Sequence, residues 1–159
     1  MKKYKYCILL VIVLVTIQSS GAFAATAKAC TEQKADEASK EYGSYEQNDW
    51  TWHQLYRSFQ RYGYCADASN PGIWNAELAT VYDEAVEFLL TQKWDTFGDF
   101  AMLARTNSSF RRFVISRISE ATSANGVTAI LKNVRHKCPV KSKSLCHDIE
   151  KHINGSEIQ

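Results

Sequence analysis

The stretch WHQLYRSFQRY, residues 52–62, carries the clearest structural signal in the chain. Counted from its first residue, aromatic or aliphatic side chains recur at offsets of 3, 4, 7 and 10, which lie on one face of an α-helix. These five residues are Trp52, Leu55, Tyr56, Phe59 and Tyr62. The pattern predicts an amphipathic helix whose apolar face packs into a core and which ends at Gly63.

Helical spacing continues along the rest of the chain, and no segment shows the apolar–polar alternation of a half-exposed strand. The two prolines lie at positions 71 and 139, so most segments run without a helix breaker. The predicted helices include a long one at about residues 74–92 and shorter ones at about 31–42, 96–105 and 127–137. The predicted fold class is therefore all-α, a compact bundle of about six or seven short helices.

Short polar residues mark where several of these helices are predicted to begin, because their side chains accept hydrogen bonds from the first free N–H groups. The predicted caps of the second, fourth and fifth helices are, in that order, Asn48 or Asp49, Asp95, and Ser108 or Ser109. The dipeptide Asn125-Gly126 is typical of a turn and is expected to precede the sixth helix.

The N-terminus has the pattern of an export signal. Lys2, Lys3 and Lys5 precede an unbroken apolar run from residue 8 to 15, which residues 16 and 17 extend. Ala22-Phe23-Ala24 supplies the small residues that signal peptidase requires. We expect cleavage after position 24, with residues 1–24 as signal peptide and residues 25–159 as a single helical domain. The run is shorter than the roughly 20 residues of a comfortable membrane span, although an uncleaved anchor is the alternative. The predicted location is periplasmic or secreted, with membrane contact only during export.

Removal of the signal changes the charge of the chain. The full sequence has 19 basic and 17 acidic residues, and the signal contains three lysines and no acid, so 16 basic and 17 acidic residues remain. A net charge of −1 gives no reason to expect a nucleic-acid partner. Residues 25–100 have 6 basic and 13 acidic side chains, and residues 101–159 have 10 and 4. This polarity indicates either helices with paired charges or two faces, one of which steers a partner.

Four cysteines remain after the signal: Cys30, Cys65, Cys138 and Cys146. An even number in an exported chain predicts two disulfides, for which three pairings exist. We favour Cys138 with Cys146, which closes a short loop, and Cys30 with Cys65, which ties the N-terminal segment to the end of a later helix. The alternative is a zinc site, but the sequence has no C-x-x-C pair to support it.

No nucleotide-binding loop, serine-hydrolase elbow, zinc-protease motif or calcium loop is present in the sequence. We therefore predict no catalytic residue, no cofactor and no metal. The acidic residues of the long helix, Glu77, Asp83, Glu84 and Glu87, are expected to form a solvated face. The enzyme alternative is a small secreted cell-wall hydrolase using Glu77, Glu84 or Glu87, but glycosidase chemistry needs two carboxylates that face each other across a groove.

Several segments together resemble small exported bacterial proteins. They are the W-x-x-L-Y-x-x-F block at 52–59, the Tyr62-Gly63-Tyr64-Cys65 run, the FRRFV run at 110–114, and Cys138-Pro139 with Cys146. In overall plan the chain is similar to the periplasmic immunity proteins of type VI secretion systems, such as the amidase-immunity group. The resemblance implies a binding protein that inhibits a secreted effector sterically, with a projecting loop or helix end, and that forms a homodimer in some members. A structural periplasmic protein without an inhibitory role is the remaining alternative.

The loop from Tyr64 to Trp74 is the predicted projecting element and carries Asp67 and Asn70. Its cysteine, proline and glycine would hold its shape and so lower the cost of ordering it on binding. Trp50 and Trp74 fall at predicted helix edges, where an aromatic side chain is either an interface anchor or packing at the end of the bundle. The predicted partner-binding residues are Asp67, Asn70, Trp74 and Trp50.

Overall fold

A computed structural model of the chain describes residues 29–42, 50–67, 76–118 and 122–156. This part contains seven α-helices: α1 (Glu32–Tyr42), α2 (Trp52–Tyr62), α3 (Ala76–Thr91), α4 (Phe97–Thr106), α5 (Ser108–Arg117), α6 (Ala124–His136) and α7 (Lys143–Ser156). Single 3-10 turns lie after α2, before α4 and before α7. Their residues are, in that order, Gly63–Cys65, Trp94–Thr96 and Val140–Ser142. The all-α prediction is confirmed. The predicted signal peptide lies outside the described residues.

Helix α3 forms the centre of the bundle and contacts α6 most extensively, while α4 packs on α5 and α7 on α6. The apolar stripe predicted for it is buried as one continuous face, which agrees with the spacing in the sequence. Its buried members are Leu78, Ala79, Tyr82, Ala85, Val86, Leu89 and Leu90.

Aromatic side chains join α2 to α4 and α5. Trp52 is buried and stacks on Phe100 with ring centroids 4.6 Å apart, and Phe110 lies 6.0 Å from Phe100. Tyr56 meets the edge of Phe110 at 4.9 Å. Offset and edge-to-face pairs of this kind add to the free energy gained from area burial alone. The apolar face predicted for residues 52–62 therefore forms the core contact of α2.

Polar groups connect α3 and the turn after it to α6. The buried side chain of Asn133 donates from Nδ2 to the carbonyl of Leu90 at 3.0 Å, and Trp94 Nε1 donates to the carbonyl of Lys137 at 3.0 Å. At the start of α6, Ser123 donates its hydroxyl to the carboxylate of Glu87 at 2.6 Å and its backbone N–H at 3.1 Å. Polar groups that are paired in this way fix the relative position of two elements, and for the buried Asn133 the pairing also avoids the cost of an unsatisfied donor.

The predicted helix starts need correction. The Thr51 side chain caps α2 by accepting a hydrogen bond from the backbone N–H of Gln54. The backbone N–H of Thr51 donates to Oε1 of Gln54, which completes a capping box. Asn107, the single residue between α4 and α5, caps α5 by accepting from Phe110 N at 2.9 Å. The fourth helix begins after a 3-10 turn and has no side-chain cap, so Asp95 does not serve as one.

The predicted turn at Asn125-Gly126 is also wrong, since both residues lie in the first turn of α6, which Ser123 caps. Gly126 is buried against α3, and a Cβ at this position would come 2.2 Å from Glu87 Oε1. The glycine is therefore needed for close approach of two helices rather than for a turn conformation.

Both favoured cysteine pairings are present. Cys30 and Cys65 form a disulfide with a Cα–Cα distance of 4.9 Å, and Cys138 and Cys146 form one with 6.3 Å. Cys65 is fully buried, and its bridge holds the segment before α1 against the turn after α2. Both bridges are of the kind found in proteins that fold in an oxidising compartment.

Candidate functional site

A groove with a volume of about 710 Å³ runs between the C-terminal half of α2 and helix α5. One wall comes from α2 and the 3-10 turn after it, and the other comes from α5. The lining residues are Phe59, Gln60, Gly63, Tyr64 and Asp67 on the first wall, and Ser109, Arg112, Phe113, Ser116 and Arg117 on the second.

The apolar part of this groove is aromatic. Phe59 and Phe113 lie with ring centroids 4.8 Å apart, and Tyr64 is half-buried beside them on the same surface. The backbone of Gly63 lies directly on the Phe59 ring, where a Cβ would come 2.6 Å from Cδ2. Gly63 has φ of −53° and continues into the 3-10 turn, so it does not end α2 as a left-handed stop. Its lack of a side chain matters for this contact instead.

Arg117 connects the groove to the core. Its Nη2 donates to the carbonyl of Ala66 at 2.9 Å, its Nη1 lies 3.5 Å from Asp83 Oδ1, and its guanidinium stacks 5.2 Å from the centre of the Phe113 ring. The side chains of Arg117 and Asp83 are each 16% exposed, so water screens this ion pair only partly. Burial raises the pKa of Asp83 above its ordinary value, and the positive charge of Arg117 opposes that shift.

Two constraints therefore meet at Cys65 and Ala66. The disulfide fixes Cys65 to Cys30, and Arg117 fixes the next carbonyl group along the chain. Asp67 follows immediately, is exposed, and lies on the rim of the groove. The base of the predicted projecting loop is thus held at one end of the groove.

Charge in the groove is unevenly distributed. Arg112 is exposed on the α5 wall and has no carboxylate partner among the described residues. The charge of Arg117 is offset by Asp83, and the hydroxyl of Ser116 donates to the carbonyl of Phe113 at 2.9 Å. The groove accordingly offers an aromatic floor with an exposed cation on one wall and the carboxylate of Asp67 on the other. Such combinations of aromatic and arginine side chains are typical of residues that contribute most to protein binding.

The structure separates the predicted partner-binding residues. Asp67 lies on the groove rim, and Asn70 and Trp74 fall outside the described residues. Trp50 is 5% exposed and belongs to the core, so the prediction of an interface anchor is wrong for this side chain. Tryptophan at a helix edge is equally suited to closing the end of a bundle, and the sequence alone does not distinguish the two roles.

Sequence reasoning missed the part of the site that α5 supplies. The FRRFV run contains Phe113 and Arg112, which line the groove, and Phe110, which is fully buried. A usable signal was present, because an arginine next to a core phenylalanine on an amphipathic helix lies at the boundary between buried and exposed faces. Helical spacing alone does not indicate that this boundary faces α2.

The acidic residues of α3 have separate roles. Glu77 and Glu84 are exposed, Asp83 pairs with Arg117, and Glu87 accepts hydrogen bonds from Ser123. The predicted solvated face is therefore limited to Glu77 and Glu84, since Asp83 and Glu87 join α3 to other elements. Asp67 is the carboxylate that lines the groove within the described residues, whereas a glycosidase requires two carboxylates across a cleft.

Within the described residues, no group of three or more His, Cys, Asp or Glu side chains is placed to hold a metal ion. No described helix combines the length and the apolar character needed to cross a membrane. In comparisons of the chain with known proteins, no family model, curated protein or solved structure matched.

Proposed function

We propose that this chain is a periplasmic or secreted immunity protein, which binds a secreted antibacterial effector and inhibits it by blocking its active-site cleft. The observation that carries the proposal is the groove between α2 and α5 with the fixed segment Cys65–Asp67 on its rim. The export pattern of residues 1–24, the small helical domain and the two disulfides support a partner met outside the cytoplasm.

The arrangement at Asp67 suits a steric inhibitor for a physical reason. Binding requires the contact residues to lose conformational freedom, and this loss subtracts directly from the affinity. Because the Cys30–Cys65 disulfide and the Arg117 bond to Ala66 already hold the base of the loop, part of that cost is met during folding. A preorganised rim beside an aromatic floor is the surface on which a few residues supply most of the binding energy.

The charges in the groove would contribute mainly to selectivity and to the rate of association. The exposed side chain of Arg112 can pair with a carboxylate of the effector, and the negative charge of Asp67 on the rim favours a basic group nearby. The effector is expected to attack the cell wall or the membrane, since those are the targets present in the compartment to which the chain is exported.

The test is binding and protection with the toxin encoded by the adjacent gene. We expect the oxidised mature protein to bind this toxin, and its periplasmic expression to protect cells from it. Arg112→Glu and Asp67→Lys should each weaken binding by about tenfold or more, since each converts an attractive charge into a repulsive one. Lys132→Glu, an exposed charge reversal on α6 outside the groove, is the matched control and should bind as the wild type does.

Absence of a neighbouring toxin, or failure of the protein to protect against it, would contradict the proposed function. Protection that survives both groove variants would place the inhibitory surface elsewhere on the molecule. The hydrolase alternative has its own assay, in which purified protein clears peptidoglycan and Glu84→Gln abolishes the clearing.

A further inference from the structure

A second recess, with a volume of about 150 Å³, lies where the end of α4, the start of α5 and the start of α7 meet. It is separate from the groove and shares no lining residue with it. Its walls are partly apolar, from Ala101, Ala104 and Leu145. The polar lining consists of Arg105, Arg111, Lys141, Ser142 and Ser144.

Three cationic side chains line this small volume. Arg111 forms an ion pair with Asp148 of α7, which neutralises one of the three charges. Arg105 and Lys141 are exposed and have no carboxylate partner among the described residues. The recess therefore has an excess of two positive charges, and charges of like sign held close together favour an anion between them.

The hydroxyl groups in the recess strengthen this interpretation. Ser142 is only 8% exposed and lines the recess, yet no hydrogen bond of its hydroxyl is found within residues 29–42, 50–67, 76–118 and 122–156. Since this side chain lines the recess, its hydroxyl can donate a hydrogen bond to a group bound there. Ser144 adds a second hydroxyl from the first turn of α7. The first N–H groups of that helix have no partner within it, and its dipole favours negative charge.

We propose that this recess is a binding site for a phosphate group, either as the free ion or at the end of a phosphate ester. The polar side chains that line it are all able to donate hydrogen bonds: two guanidinium groups, one ammonium group and two hydroxyls. A phosphate dianion balances the two uncompensated positive charges, whereas a single carboxylate leaves one of them unpaired. The site does not depend on the proposed inhibitory function, because its residues lie outside the groove.

The experiment is calorimetric titration of the oxidised mature protein with inorganic phosphate and with glycerol phosphate, at constant ionic strength in chloride. Saturable binding of either compound at a single site supports the proposal, and the tighter of the two identifies the source of the phosphate group. Arg105→Gln and Ser142→Ala should each weaken that binding by about tenfold, the effect of losing one charge-assisted hydrogen bond.

Lys132→Gln is the matched control, since it removes an exposed positive charge from α6 outside the recess and should leave binding unchanged. Because Arg105 is exposed, its variant is expected to fold even if the buried Ser142→Ala does not, and helicity measured by circular dichroism checks both. Lack of saturable binding would overturn the proposal. So would wild-type affinity in the Arg105→Gln variant, or acetate binding as tightly as phosphate.

Discussion

Replacement of Gly126 by alanine should destabilise this protein, although the same change stabilises most helices. Alanine is favoured over glycine within a helix by about 0.5–1 kcal/mol. Here the new Cβ would lie 2.2 Å from Oε1 and 2.5 Å from Cδ of Glu87, so the carboxylate must move away. The movement itself costs little, because a glutamate side chain is flexible at its far end. It does break the hydrogen bonds that Glu87 accepts from the hydroxyl and the N–H of Ser123.

The expected magnitude follows from these two opposing effects. A hydrogen bond to a charged group contributes about 1.5–3 kcal/mol, and the exposure of Ser123 places the loss of both bonds towards the lower end of that range for the pair. After the helix-propensity gain is subtracted, Gly126→Ala should lower the free energy of unfolding by about 0.5–1.5 kcal/mol. In a Glu87→Ala background the steric conflict is absent, so the same substitution should raise it by about 0.5–1 kcal/mol.

The measurement is urea denaturation of the four proteins of this double-mutant cycle, followed by circular dichroism with both disulfides oxidised. Gly98→Ala is the control, since Gly98 lies in α4 and a Cβ there meets nothing within 4 Å. It should stabilise the protein equally in both backgrounds. If Gly126→Ala stabilises the wild type, or has the same sign in both backgrounds, the close approach of α6 to Glu87 is not what requires the glycine.

Three further predictions concern the core. Burial raises the pKa of the Asp83 carboxyl above its ordinary value of 3.8, so the folded protein binds the carboxyl proton more tightly than the unfolded chain does. The contribution of Asp83 to the free energy of unfolding therefore falls as the pH rises from 3.8 through the pKa of the folded state. The free energy of unfolding of the wild type minus that of Asp83→Asn should therefore be smaller at neutral pH than at pH about 3.5; a difference independent of pH would contradict this. Ser58→Ala should lower the free energy of unfolding by about 1–3 kcal/mol, because the buried Tyr82 hydroxyl loses its hydrogen bond with Ser58 Oγ, 2.8 Å away. Adding Tyr82→Phe should recover part of this loss in the same denaturation assay. Replacing both cysteines of a disulfide by alanine should lower the free energy of unfolding by about 4 kcal/mol for Cys30–Cys65, which spans 35 residues, and by about 2.5 kcal/mol for Cys138–Cys146, which spans 8. A larger loss for the shorter loop would exclude loop-closure entropy as the cause.

The sequence predicts the helices well because one physical signal dominates them. The apolar face of α2 and the buried stripe of α3 follow directly from helical spacing, and both faces pack against neighbours. Helix starts are harder, because several short polar residues compete. Thr51 caps α2 rather than Asn48 or Asp49, and the signal that decides this is Gln54 three residues later.

The features that the sequence did not predict depend on contacts between residues that lie far apart in the chain. Asp83 and Arg117 pair only because α3 and α5 pack side by side, and neither residue type indicates such a partner. Gly126 has a turn-like sequence but serves the contact with Glu87. The groove likewise depends on how α2 and α5 are placed, which a helical pattern in each one separately does not define.

The polar links between α3 and α6 have a consequence for how the native protein opens. Since Asn133 and Trp94 bond to carbonyl groups across this contact, α6 cannot separate without leaving these donors and acceptors unpaired. The amide protons of the two helices are therefore expected to exchange with solvent together, in one cooperative unit with the slowest rates of the molecule. Among the side chains of α1 whose burial is described, those buried in this core are small, Ala35 and Ala38. The amides of α1 should therefore exchange faster, while the Cys30–Cys65 bridge keeps its first residues in place.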